Sequence, residues 1–176
     1  MAAAPSTDLV WREIQKQMFA VFGFVTARGE ARTAGIVYVI RGRKVYLGTD
    51  RNSWKARHVA KNPNVSVTVT IPKRIPLLPW VRIPPATVTF QGNAVVIGPD
   101  EVPADVQGAL FRGLELDAAT RERICIIRIA PRGEFVTYGV GVPLPTMRHP
   151  REAQGRAPTG TNGPDDLKSH AQRRES

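Results

Sequence analysis

Hydrophobic and polar positions alternate most cleanly over residues 65–71, where Val65, Val67, Val69 and Ile71 are separated by Ser66, Thr68 and Thr70. Period two places the branched side chains on one face of a strand, so that face is buried. Other stretches read the same way. Residues 19–26 are apolar and rich in β-formers, and they end at Arg28-Gly29-Glu30, a strand followed by a tight turn. Residues 33–40 form a second strand, and Arg41-Gly42-Arg43 forms a hairpin turn. Residues 44–49 form a third, with Val45 and Leu47 pointing one way and Tyr46 and Gly48 the other. Residues 87–97 make a fifth strand with Gly92 as a bulge or bend. Residues 123–130 and 135–138 make the last strand, or a final hairpin around Pro131-Arg132-Gly133.

Helices are short. Ser6, Thr7 or Asp8 caps a first one running to about Gln17, and Asn52 or Ser53 caps a second one that stops at Asn62-Pro63. Residues 100–112 and a turn near 117–121 also read as helical. Residues 72–85 carry five prolines and form a loop or splayed hairpin that includes Trp80. Strands joined by hairpin-length connections are mostly antiparallel, and the crossover helices of a doubly wound sheet are missing. Closure removes exposed strand edges. The expected fold is therefore mainly β: a six-stranded antiparallel β-barrel with a few short helices. Residues 1–141 make the barrel domain. From 142 to 176 the chain turns rich in Pro, Gly, Arg and Ser, the composition of an extended or disordered arm.

A length of 176 residues and 42% hydrophobic content suit one domain with a core of ordinary size. The formal net charge of +10 adds an attraction for polyanions: nucleic acid, acidic lipid, or phosphorylated and carboxylated small molecules. The lone cysteine, Cys125, excludes an internal disulfide and a Cys-based metal site, and its apolar neighbours suggest a buried, inert thiol. Only His58, His149 and His170 could add imidazole ligands, too few to suggest a metal cluster. The first ten residues lack the pattern of a secretory signal, and no apolar run is long enough to span a bilayer, so a cytoplasmic location without a membrane span is expected.

The charge is segregated. Residues 51–99 contain no Asp or Glu, yet they carry Arg51, Lys55, Arg57, Lys61, Lys73, Arg74 and Arg82. Strands disfavour acids anyway, which is the plain explanation. The chemical one is an anion site where a strand ending at Thr49 meets the helix after Ser53. The first turn of a helix leaves amide hydrogens unpaired and carries partial positive charge. A phosphate fits there, with hydroxyls from Thr49 and Ser53, a point charge from Lys55 and a guanidinium fork from Arg57. Lys55 in a first helical turn opposes the helix dipole, and a bound anion would relieve that conflict. His58, on the same helix, either reaches the phosphate or is a surface imidazole.

These segments, Tyr46-Leu47-Gly48-Thr49, Ser53-Trp54-Lys55-Ala56-Arg57, Asn62-Pro63-Asn64-Val65-Ser66-Val67 and Phe90-Gln91-Gly92-Asn93-Ala94, resemble the pyridoxamine 5′-phosphate oxidase-like FMN-binding split-barrel superfamily over residues 6–140. The resemblance implies a split barrel that works as a homodimer with cofactor at the interface. It implies a phosphate held by Ser53, Trp54, Lys55 and Arg57 together with Thr33, Ala34 and Gly35. It implies a flavin ring along Gly35, Ile36, Val37 and Tyr38, with Leu47, Gly48 and Thr49 adjacent. The Arg-x-His pattern of the vitamin B6 oxidases is missing, since Arg148 and His149 are neighbours in the expected arm. The deazaflavin-dependent reductases of the same barrel are thus as relevant as the FMN enzymes, and the acid-free surface suits an anionic coenzyme. The expected activity is flavin-dependent oxidoreduction of a small organic substrate. A non-catalytic flavin- or anion-binding stress protein is the alternative. Nucleic-acid binding is disfavoured: 7% aromatic content and no RNA-recognition motif leave little to stack bases.

Overall fold

A computed structural model describes residues 4–73 and 83–161. Helix α1 (Thr7–Gln15) leads into β1 (Phe19–Val25), β2 (Ala31–Val37), β3 (Val39–Arg41) and β4 (Lys44–Asp50). Helix α2 (Trp54–Lys61) and β5 (Asn64–Ile71) follow, then β6 (Ala86–Ile97), α3 (Ala104–Leu110), α4 (Ala118–Arg123), β7 (Ile124–Tyr138), α5 (Pro150–Ala153) and β8 (Gln154–Pro158). Every pairing among the described residues is antiparallel, and the hydrogen-bonded path is β2-β1-β5-β6-β7-β4-β3, with β8 added to β7. The curled sheet leaves β2 and β3–β4 at its two ends, so the barrel is split there. None of the described helices is long and apolar enough to cross a membrane.

Among the described residues the sheet has eight strands rather than the expected six, for two physical reasons. The unbroken apolar run 36–40 is cut at Tyr38, whose ring turns inward and whose hydroxyl donates to the Ile14 carbonyl (2.5 Å), dividing β2 from β3. The eighth strand comes from the segment expected to be an extended or disordered arm. Gln154–Pro158 pairs with Glu134–Tyr138 of β7, and residues 144–153 form short helical turns in front of it. Backbone hydrogen bonds and a few anchors hold this segment: Trp11 Nε1 donates to the Thr159 carbonyl (2.9 Å), and Tyr138 Oη donates to the Met147 carbonyl (2.8 Å). A composition short of large apolar side chains conceals such pairing.

The alternation read at 65–71 is borne out, with Val65, Val67, Val69 and Ile71 all buried. They join Phe22, Phe90, Phe135, Ile127 and Ile129 in one core. Trp11 and Phe90 both meet Phe135 edge-on, at 5.2 and 5.5 Å between centroids. Strand β7 runs unbroken through Pro131 and Gly133, so there is no final hairpin. Gly92 sits where a Cβ would lie 2.6 Å from Ile129 Cγ2, so β6 and β7 approach closely only because that side chain is missing. The β3–β4 turn has Gly42 and Arg43 both at positive φ (55° and 57°), as a two-residue hairpin of this twist requires. Arg43 offsets its strain by bonding Asp8 Oδ1 (2.8 Å) and the Gly160 carbonyl (3.0 Å). Cys125 is fully buried, and desolvation raises its thiol pKa, offset in part by Arg51. The proline-rich loop and Trp80 fall mostly outside the described residues.

Candidate functional site

The site is built where the β1–β2 turn faces helix α2. Thr26 organises the turn: its Oγ1 accepts from the Arg28 and Glu30 amides (3.3 and 3.2 Å), and its own amide donates to the Glu30 carbonyl (2.9 Å). Gly29 supplies the positive φ of 80° that closes the loop. This geometry brings Arg28 and Arg32 to one side. Arg32 Nη2 pairs with Glu30 Oε2 at 3.0 Å, an exposed contact of small energy. Arg28 makes no ion pair among the described residues.

Opposite stands α2. Ser53 Oγ caps it by accepting from the Ala56 amide (3.2 Å), and Thr49 Oγ1 donates to the same oxygen (3.1 Å). The Thr49 proton is thereby spent internally, while the Ser53 hydroxyl hydrogen remains to donate. No acid lies in the first turn of α2, so nothing on the helix itself offsets the charge of Lys55. In the preceding turn, Asp50 Oδ1 accepts from the Asn52 amide (2.7 Å). Arg51 is committed elsewhere, donating to the carbonyls of Glu122 (3.1 Å) and Ile124 (3.3 Å).

Between turn and helix lies a cavity of about 630 Å³, within the range of small-molecule sites. Its walls are Arg28, Arg32, Thr33, Trp54 and His58, with Thr26, Ala27 and Glu30 at the turn. Trp54, 43% exposed, leans on Phe24 at 5.0 Å between centroids, and His58 stacks on the same ring at 5.8 Å and 21°. The cavity therefore joins two guanidiniums and a hydroxyl to an aromatic wall, with one carboxylate, Glu30, already engaged by Arg32. A second concavity of about 500 Å³ adjoins it across His58, lined by Arg57, Ala60 and Lys61. Among the described residues no cluster of His, Cys, Asp and Glu is arranged to hold a metal ion.

The residues singled out from sequence divide into three groups. Thr33 and Trp54 line the larger cavity and Arg57 the smaller; Ser53 and Lys55 line neither. Ile36, Tyr38 and Leu47 are core side chains, so only their backbone could meet a ligand. Gly35, Val37 and Gly48 are exposed, whereas Ala34 and Thr49 are half-buried. β2 is the end strand of the path, which leaves one edge of its backbone without a strand partner among the described residues. Beside Gly48 lies Phe111, 3.4 Å from where a Cβ would stand. Tyr46 is buried against the α3 side; desolvation raises its phenol pKa, Arg128 opposes that and Asp105 adds to it. Arg28 and Arg32 escaped the sequence reading. Their signal was two arginines flanking a glycine turn that carries a single acid.

No family model matches the chain, and no curated protein matches it in sequence. Solved structures do. An F420 reductase shares 15% identity at a TM-score of 0.50, over 70% of this chain and 93% of that one. A putative pyridoxamine 5′-phosphate oxidase from Listeria innocua shares 14% at 0.53, over 71% and 92%. HutZ, a haem storage protein of Vibrio cholerae, shares 16% at 0.56, over 75% and 94%. The fold is thus the split barrel of the pyridoxamine 5′-phosphate oxidase-like proteins. Identities this low establish the architecture alone.

Proposed function

We propose that this chain is a flavin-type redox protein: it holds FMN, or a deazaflavin coenzyme, and passes hydride or electrons to a small organic substrate. The observation that carries the reading is the cavity where Arg28, Arg32 and Thr33 meet the Trp54–Phe24–His58 wall. Two guanidiniums suit a phosphoryl group, and the apolar wall beside them lowers the local dielectric and strengthens that pairing. The residues present therefore fit the group. Arg28, Arg32 and Thr33 would hold its phosphate, with Lys55 and the free hydroxyl hydrogen of Ser53 adding positive character from the helix end. The ring would extend along β2 from Gly35 toward Val37, beside Gly48 and Thr49 at the split. When bound, the cofactor supplies the redox chemistry, and the chain supplies binding, orientation and exclusion of water. A sparse set of acid–base side chains agrees with that division of labour.

The absorbance spectrum and mass of the purified protein's bound material, followed by fluorescence titration with FMN and with deazaflavin coenzyme, test this reading. Saturable quenching supports it, and no saturable binding of either rejects it. A Soret band in place of flavin bands would replace the reading with haem binding. Turnover with a reductant separates an enzyme from a protein that only sequesters the cofactor.

The reading includes a homodimer with cofactor at the interface. Met18, Phe19, Val21 and Val37 are 69, 56, 37 and 62% exposed, an apolar strip on the outer face of β1 and β2. A strip of this kind is a contact surface for a second copy. Val37→Arg is expected to halve the mass measured by light scattering without lowering the melting temperature of the monomer. An unchanged mass would place the contact elsewhere or show that there is none.

A further inference from the structure

Helix α2 carries two adjoining rows of side chains, Trp54 with His58 and Arg57 with Lys61, each pair four residues apart. Trp54 and His58 face the cavity of about 630 Å³ that holds the two arginines of the turn. Arg57 and Lys61, with Ala60, line the neighbouring concavity of about 500 Å³, and His58 belongs to the walls of both. The imidazole is half-buried and stacked on Phe24, so it marks where one space passes into the other. Together the two spaces exceed the range of about 300–1,000 Å³ usual for one small molecule. Their charge is one-sided. Arg57 and Lys61 are exposed, and neither enters an ion pair among the described residues. Helix α2 itself contains no acid. Like charges four residues apart oppose a helix, and an anion between them relieves that repulsion. Glu30, the carboxylate of the larger cavity, is engaged by Arg32 and lines only that cavity.

We infer that the Arg57–Lys61 concavity is a second anion subsite of the proposed cofactor site, so that the chain selects an elongated coenzyme with a further phosphate or carboxylate beyond the phosphate held at Arg28 and Arg32. The shared wall argues for one ligand rather than two. A molecule anchored on the guanidiniums of the turn and continuing past His58 meets Arg57 and Lys61 next. From Trp54 to Lys61 the helix rises about 10 Å, a span that an extended coenzyme covers. FMN ends at its phosphate, so it fills the first space and leaves Arg57 and Lys61 to solvent. This inference rests on the cofactor reading and narrows it to coenzymes with a distal anionic group.

The double substitution Arg57→Gln, Lys61→Gln removes both charges and keeps helix-compatible side chains. Three probes are titrated by fluorescence quenching: FMN, with one phosphate; FAD, with a second phosphate; and deazaflavin coenzyme, with carboxylates beyond its phosphate. Wild type is expected to bind at least one of the two extended coenzymes more tightly than FMN. In the double variant FMN affinity should stay within about 2-fold, whereas the preferred extended coenzyme weakens by about 3- to 10-fold. Preference for FAD makes the distal group a phosphate, and preference for deazaflavin coenzyme makes it a carboxylate. Melting temperature should match wild type, since both side chains are exposed. If neither extended coenzyme outbinds FMN, or if the variant weakens all three probes alike, the inference is overturned while the cofactor reading stands. Equal losses would mean that α2 contributes only a long-range field. If wild type binds none of the three, the cofactor reading falls and this inference with it.

Discussion

Arg32→Ala is expected to weaken FMN binding by about 10- to 100-fold, the range set by losing a charge-assisted hydrogen bond to a phosphoryl oxygen. Arg28→Ala should fall in the same range, because the Thr26 hydroxyl holds the turn on which both arginines depend. Glu30→Gln should move affinity the other way. Glu30 Oε2 lies 3.0 Å from Arg32 Nη2, so the carboxylate competes with any anion for that guanidinium. Removing its charge frees Arg32 and takes a repelling charge from the cavity mouth. Lys55→Ala, by contrast, should cost only several-fold, since Lys55 does not line the cavity. All of these differences should shrink as salt rises toward 1 M, where screening acts over about 3 Å. Isothermal titration over a salt series checks the order. If Lys55→Ala proves the most damaging of the set, the phosphate sits at the α2 corner and the cavity between turn and helix has another use.

The difference between those two places shows what the sequence could disclose. The strand–helix corner was legible because its elements are local: Ser53 caps α2, Asn62-Pro63 ends it, and the acid-free stretch surrounds it. The strands were legible where one face is buried, as at Val65 to Ile71. The cavity needed contacts distant in sequence. Arg28 and Arg32 precede His58 by a whole hairpin and a helix, and only the pairing of β1 with both β2 and β5 brings the turn against α2. The inward orientation of Tyr38 was hidden for a similar reason. Its hydroxyl is satisfied by the Ile14 carbonyl of α1, and burial raises its pKa well above the ordinary phenol range. Read from sequence, the aromatic and branched residues of 36–40 are equivalent strand formers. Alternation sets Ile36 and Tyr38 on the face opposite Val37, but which face is buried is decided by tertiary packing, which puts Ile36 and Tyr38 in the core and leaves Val37 exposed.

The C-terminal segment gives the second large effect: a chain ending at Val142 should lose its cooperative thermal transition or melt at least about 10 °C lower. An arm could be removed without cost, but this segment closes one end of the core. Met147, Ala153, Ala157 and Thr159 are buried, at 6, 2, 2 and 1% exposed. Their removal would uncover Trp11 and Phe135, now 6% and 0% exposed, and would strip β7 of a paired strand. The hydrogen bonds from Trp11 Nε1 to Thr159, Tyr138 Oη to Met147 and Thr7 Oγ1 to Pro158 would go as well. At about 1 kcal/mol for each such bond, plus about 25 cal/mol for each Å² of apolar surface uncovered, the total reaches several kcal/mol. That is a large part of the roughly 5–15 kcal/mol that holds a domain together. Trp11→Phe isolates one strand of the argument. It keeps a ring against Phe135 but leaves the Thr159 carbonyl without its indole donor, and about 1–3 kcal/mol should be lost. Calorimetric scans of both variants decide the matter. If the shortened chain melts as the full one does, β8 and its anchors contribute nothing to the barrel, and the segment is an appendage after all.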